Sequence, residues 1–304
     1  MTRVAALDCG TNSLRLLVTD LVDGQQSDVH REMRVVRLGE GVDRTGSLAP
    51  QAIARTRDAL VDYAATCGEL GVERTRMVAT SATRDAANRD DFHTMVLDVL
   101  GSEPEVISGD EEAALSFAGA TRALEPAEGP FLVMDIGGGS TELVLGTDAV
   151  TAALSVDVGC VRLTERHLRD DPPTTAQVAA AERDIDDALE QVRKVVPVEQ
   201  ARTAVGLAGS VTTVAALALA LPAYNRDAIH LSRLSAGDVR RVATDLLAMT
   251  HDARAALPVM HPGRVDVIGA GALILRTLVD RLALSEVLVS EADILDGIAW
   301  SLDG

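Results

Sequence analysis

Two carboxylates, Asp8 and Asp135, each end an apolar run and open a turn built from glycine, hydroxyl and amide residues. Around the second, residues 131–134 are apolar and enter like a buried strand that ends at Asp135. Gly137, Gly138 and Gly139 follow as a turn bare of side chains, Ser140 and Thr141 add hydroxyls, and 143–145 resume a strand. Glycine makes positive φ cheap there and lets a ligand touch the backbone. A carboxylate facing such a turn suits a phosphate chain with its divalent cation. The carboxylate holds Mg²⁺ directly or through water, while N–H groups and hydroxyls hold phosphate oxygens. One such segment is also compatible with an ordinary glycine hairpin. The N-terminal run repeats the order, however: apolar 4–7, Asp8, Cys9, Gly10, Thr11, Asn12, Ser13, then apolar 14–18. Two copies imply a duplicated architecture, each half offering one phosphate clamp to a shared cleft.

Other residues carry the same chemistry. Ser81 and Thr83 precede Arg84 where a helix begins, an arrangement that suits an anion because a helix N-terminus favours negative charge and a guanidinium grips phosphate with two donors. N-capping with a solvated Arg84 is the structural alternative. Asp110, Glu111 and Glu112 open another helix, normally a matter of capping and macrodipole, yet a carboxylate beside a phosphate cleft also suits a base for attacking water. Gly209 and Ser210 repeat the strand, glycine, hydroxyl, helix order, with a packing glycine nearly as good an explanation. His261 has no second histidine at metal-binding spacing, which argues against zinc.

The elements that must position these residues follow from pattern. At 304 residues, 47% hydrophobic, the chain can bury one large or two medium cores, built from Ala, Val and Leu because aromatics are only 2%. Few stacking platforms and a net charge of −18 (46 acidic, 28 basic residues) count against nucleic acid and anionic membranes as partners. An anionic substrate therefore needs local cations. The three cysteines, Cys9, Cys67 and Cys160, lack paired spacing and read as free thiols in a reducing compartment. A strand begins within a few residues of the start and no apolar run is long enough to span a bilayer, so a cytoplasmic location is expected. Strands are expected near 4–7, 14–18, 29–38, 76–80, 105–107, 131–135, 143–145, 150–158, 204–208 and 284–289. Helices are expected near 50–70, 90–100, 108–124, 163–168, 174–196, 235–249, 267–279 and 292–300, with another directly after the turn at 209–213. The turn-rich 125–130 marks the domain boundary, giving 1–125 and 126–291, with 292–304 returning to the first domain.

These motifs, over essentially the whole chain, resemble the exopolyphosphatase / guanosine pentaphosphate phosphatase (Ppx/GppA) family. The carriers are the two aspartate-glycine turns, 81–89, 108–113, the Gly209-Ser210 turn and 290–297. The resemblance implies an α/β fold of two ribonuclease-H-like domains of the actin, Hsp70 and sugar-kinase superfold flanking a cleft. It implies Mg²⁺-dependent hydrolysis of terminal phosphate, with another divalent cation as an alternative. By motif match, Glu112 would be the general base, Asp135 the metal-linked carboxylate, and Asp8 and Glu142 its support, Asp8 as a second metal ligand. Asn12, Ser13, Arg84, Gly138, Gly139, Ser140, Thr141, Ser210 and Arg264 would hold the phosphate chain. The implied substrate is inorganic polyphosphate, with guanosine pentaphosphate or tetraphosphate as the alternative; from another class, the chain would be a weakly catalytic alarmone- or nucleotide-binding regulator. A homodimer is implied too. Longer members carry further helical domains, so a preference for short chains is expected here.

Overall fold

The computed structural model describes residues 2–303. It divides into two units, Met1–Gly119 with Ile294–Gly304, and Ala120–Asp293.

The first unit runs β1 (Thr2–Cys9), β2 (Ser13–Val22), β3 (Gln25–Val35), α1 (Val42–Thr45), α2 (Pro50–Glu69), β4 (Arg74–Ala79), α3 (Ser81–Asp85), α4 (Arg89–Leu100), β5 (Glu105–Val106) and most of α5 (Gly109–Thr121). The sheet order is β3-β2-β1-β4-β5, antiparallel through the first three strands and parallel from β1 onward. That mixed order, a meander followed by crossover helices, is the ribonuclease-H-like arrangement. Asp23 and Gly24 both take positive φ, 49° and 74°, and so close a two-residue hairpin with the twist its strands require. One sheet face packs on α2 and α4 around Leu14, Leu16, Leu60, Tyr63 and Phe92. The other packs on the C-terminal helix Ile294–Trp300 through Val4, Ala6, Leu17, Leu295 and Ile298. The third strand ends at Val35 rather than continuing to residue 38, because the Val36 and Arg37 N–H groups turn to the Asn12 carbonyl.

The second unit runs β6 (Phe131–Ile136), β7 (Thr141–Gly146), β8 (Val150–Val156), α6 (Cys160–Arg166), α7 (Thr175–Val195), β9 (Thr203–Leu207), α8 (Ala208–Ala218), α9 (Arg226–Ile229), β10 (Arg233–Ser235), α10 (Ala236–Ala248), α11 (His251–Ala255), α12 (Ile268–Arg281) and β11 (Glu286–Val289). Its sheet order, β10-β11-β9-β6-β7-β8, is the same plan with one antiparallel strand, β10, added at an edge. The uninterrupted apolar run of β6 is explained by burial on both faces, since every residue from Phe131 to Ile136 is buried. Thr174 caps α7 in a reciprocal box with Gln177, which fixes where that amphipathic helix starts. The three-residue β10 and the four- and five-residue helices α1, α3, α9 and α11 have no periodic signal in the sequence; tertiary contacts define them.

Candidate active site

In each unit the site is the turn at the end of the first hairpin. A turn centred between residues 11 and 12 places Asp8 opposite Arg15, and one centred between 138 and 139 places Asp135 opposite Glu142. The two turns are built alike: Gly10 donates its N–H to Ser13 O and Gly137 to Ser140 O, both at 3.0 Å. Gly137 does not take a positive φ, so left-handed freedom is not its purpose.

The second turn is strapped from one side by the start of α6. The Gly137 carbonyl accepts from Cys160 N (3.0 Å), Gly138 O from Val161 N (2.9 Å), and Gly139 O from Arg162 Nε (2.8 Å). Gly159 packs so closely that a Cβ there would stand 2.3 Å from Gly138 O. With the carbonyls held on that side, the Gly138 and Gly139 N–H groups have no protein partner among the described residues. Successive free amides of this kind form an anion-binding concavity. The first turn repeats the device: Thr11 O accepts from Gly39 N, and Asn12 O from Val36 N and Arg37 N. Asn12 and Ser13 lie in that turn, and Thr11 Oγ1 hydrogen-bonds Ser81 Oγ at 2.8 Å, tying it to α3.

Charge separates the two hairpins. Asp8, 4% exposed, accepts from Arg15 Nε (2.9 Å) and Nη2 (2.7 Å), both on Oδ2, while Oδ1 is buried outside those bonds. Asp135 and Glu142, 8% and 1% exposed, are carboxylates at directly opposed positions. Like charges facing across a strand pair repel, more so when buried. Ser155 Oγ donates to Glu142 Oε1 at 2.7 Å. Two buried carboxylates at opposed positions are hard oxygen donors of the kind a divalent cation takes. Among the described residues no three Asp, Glu, His or Cys side chains converge on a metal position. A hard cation here would take its remaining oxygens from phosphate and water, the usual habit of Mg²⁺.

Glu112 belongs to the first unit. Of the acidic trio, Glu111 is exposed and bonds Arg76 (2.7 Å), and Ser108 Oγ caps its N–H. Glu112 turns inward, 8% exposed, and its Oε2 accepts from Arg84 Nη1 at 3.1 Å. The same Nη1 donates to Ile107 O at 2.9 Å, which fixes the guanidinium and leaves Nε and Nη2 without a protein partner among the described residues. Arg84 is thus neither solvated nor fully spent.

In the second unit Arg264 repeats this half-anchored state. Its guanidinium lies flat on Gly209, where a Cβ would stand 2.4 Å away, and Nη1 reaches Gly209 O (3.4 Å) and Thr213 Oγ1 (3.3 Å). Ala208 beside it takes a φ of 66°, a strained conformation for a residue with a Cβ.

Two expected phosphate contacts have neighbours within their own unit. Thr141 is 1% exposed and its hydroxyl donates to Val158 O at 2.5 Å, so the proton is already used to brace the turn. Ser210 and Cys160 both pack on Gly271, which brings α8 against the strap. Asp8, expected as a metal ligand, takes both Arg15 hydrogen bonds on Oδ2, and its Oδ1 is buried outside those bonds. Ser140 stays in place at the turn, 2% exposed. Arg15, Ser155 and the 159–162 strap were not singled out from sequence. The hairpin arithmetic that pairs 8 with 15 was available; the strap was not, because nothing local announces it.

The Ppx/GppA phosphatase family profile matches residues 17–302. The chain belongs to that family. Exopolyphosphatase 2 of Mycobacterium tuberculosis is 55% identical over 317 residues, covering 100% of this chain and 99% of that protein. Among solved structures, the Aquifex aeolicus PPX-GPPA enzyme is 31% identical with a TM-score of 0.83, over 99% of both chains. An exopolyphosphatase from Cytophaga hutchinsonii is 26% identical with a TM-score of 0.91, over 99% of this chain and 97% of that one. In this phosphatase, no helix among the described residues is long and apolar enough to cross a membrane.

Proposed function

We infer that this phosphatase is an exopolyphosphatase, hydrolysing the terminal phosphoanhydride of inorganic polyphosphate. The observation that carries the reading is the strapped glycine turn, with its carbonyls bound behind it and two amides left for an anion, beside the Asp135 and Glu142 pair. Full-length similarity to exopolyphosphatase 2 supports the substrate class. The reading extends to a cytoplasmic homodimer, carried by family resemblance alone.

Gly138 and Gly139 N–H groups hold phosphate oxygens, and Ser140 lines the same turn. Arg84 and Arg264, each anchored through Nη1, offer Nε and Nη2 to further oxygens. These local cations offset the net charge of −18. Bidentate guanidinium contacts suit phosphate because the planar fork matches two oxygens. Glu112, held by Arg84, takes the proton from the attacking water. Asp135 and Glu142 would hold Mg²⁺, which when bound neutralises charge that develops on the phosphate oxygens. Phosphoryl transfer to water asks mainly for such positioning and charge stabilisation.

One observation favours a second reading, guanosine pentaphosphate 5′-phosphohydrolase. Tyr224 is 41% exposed, its hydroxyl is fixed by Glu291 (2.5 Å) and Thr212 (2.8 Å), and it lies within the electrostatic reach of Arg264. Its ring is a platform on which a base could stack. The test is phosphate release, with and without Mg²⁺, from polyphosphates of defined length and from guanosine pentaphosphate in parallel. Release from polyphosphate at much higher kcat/KM supports the first reading; release from the nucleotide alone overturns it in favour of the second.

A further inference from the structure

In the first unit the chain from Glu40 to Arg55 folds around a cavity of about 500 Å³ that the chemistry above does not use. Its wall is continuous with the Asn12 turn. Gly39 N donates to Thr11 O, the Val36 and Arg37 N–H groups hold Asn12 O, and the cavity opens at the next residue, Glu40. Arg55, reaching back from α2, donates Nε to Val36 O (2.9 Å) and Nη2 to Arg37 O (3.4 Å), so it grips the same two residues. Elsewhere on the wall Gly46 O accepts from Ala87 N (2.8 Å), and Leu48 exchanges two hydrogen bonds with the Asn88 side chain. The cavity is thereby tied to the segment that follows Arg84.

Its lining carries donors that the fold does not use. The Arg44 guanidinium makes no hydrogen bond or ion pair among the described residues. Arg55 spends Nε and Nη2 on the two carbonyls and on Glu40 Oε2 (3.1 Å), which leaves Nη1 without a partner among the described residues. This is the half-anchored state of Arg84 and Arg264. Ser47 Oγ and the Gln51 side-chain amide also have no partner among the described residues. Glu40 is the one carboxylate on the lining, and Arg55 already pairs with it, so Arg44 sets the sign. Guanidinium groups beside hydroxyl and amide donors suit phosphate oxygens.

We propose that this cavity holds the phosphates of the substrate chain that follow those in the clamp, a subsite that rests on the exopolyphosphatase reading and deepens it. Every unit of a polyphosphate is anionic, and a segment leaving the Asn12 turn meets the Arg44 and Arg55 donors next. A single subsite lengthens the grip by a short stretch, and chain beyond it gains nothing.

The test is initial-rate kinetics of the full chain with Mg²⁺, on triphosphate and on long-chain polyphosphate, for the parent, Arg44→Ala, Arg44→Glu and Arg44→Lys. In the parent, kcat/KM should rise from triphosphate to chains that fill the cavity and then level off. Arg44→Ala should lower kcat/KM on the long chain about fivefold relative to its value on triphosphate, and Arg44→Glu further, the change falling on KM rather than kcat. Arg44→Lys should restore most of the ratio, because a point charge also binds phosphate. The dependence of KM on salt for the long chain should flatten in Arg44→Ala, since one cation fewer meets the polyanion. Gln51→Glu puts a carboxylate on the same lining without touching an arginine and should lower the same ratio; it decides the matter if the Arg44 variants do not fold. A parent that hydrolyses polyphosphate, with a chain-length ratio unchanged in folded Arg44→Glu, overturns this inference alone. A parent inactive on polyphosphate overturns the reading beneath it, and the subsite with it.

Discussion

Gly159→Ala isolates the claim that the glycine turn is a positioned phosphate clamp. Gly159 has φ −142° and ψ 162°, ordinary extended backbone that alanine adopts freely, so only the contact matters. The new Cβ would stand 2.3 Å from Gly138 O, 2.4 Å from Gly138 C and 2.5 Å from Gly139 N. Ordinary carbon contacts are about 3.5 Å, so strap and turn must part by about 1 Å. All three atoms are backbone and cannot swing aside. Overpacking of this sort costs roughly 1–3 kcal/mol of stability. The larger effect falls on chemistry, because the displaced amides are the proposed phosphate donors. A misplacement of about 1 Å costs on the order of 100-fold in rate. Phosphate release from polyphosphate should therefore fall about 100-fold while circular dichroism and a cooperative melt report a folded chain. Gly68→Ala is the control: a Cβ there meets nothing within 4 Å in α2, so it should leave activity unchanged and stabilise by about 0.5–1 kcal/mol. Activity of Gly159→Ala within twofold of the parent would refute the reasoning, since either the turn tolerates displacement or it does not hold the substrate.

Two further variants test the surroundings. Thr141→Val removes the proton that Val158 O accepts and leaves that buried carbonyl unpaired, at a cost of about 1–3 kcal/mol, whereas Thr141→Ser keeps the bond and should melt close to the parent. Equal melting temperatures for the valine and serine variants would remove the brace. Burial raises the Glu291 carboxyl above its ordinary 4.5, against the opposing hydrogen bond from Tyr224. The folded chain then binds that proton more tightly than the unfolded one, so this group's contribution to stability declines as pH rises from about 4.5 through the raised value and is flat above it. Glu291→Gln should abolish that decline and melt a few degrees above the parent at pH 8; an unaltered pH dependence would contradict it.

Much of the fold was legible because its hairpins announce themselves. The aspartate-glycine turns, the fully apolar β6 and the capped α7 each carry a local signal, and the repeat of the first motif implies the second sheet. By residue type alone Glu111 and Glu112 are equivalent first-turn carboxylates, and it was the family motif that singled out Glu112. Only Arg76, reaching Glu111 from β4, and Arg84, reaching Glu112 from α3, tell them apart, and both contacts span about thirty residues of chain. Thr141 was the right type in the right turn, yet a hydroxyl has one proton, and the Val158 carbonyl takes it. Of the two reasons given for the glycines, close backbone approach stands in the geometry and positive φ does not. They admit Gly159 and the α6 strap, and Gly137 uses no left-handed conformation.

The central claim is that Glu112 primes water for attack on a phosphate held by other groups. Glu112→Gln keeps the size and the Arg84 contact but cannot take a proton, so phosphate release from polyphosphate should drop by about 100-fold to 10,000-fold. Binding of the same polyphosphate, followed by calorimetry, should stay within a few-fold of the parent. Undiminished phosphate release from this variant would contradict the account outright.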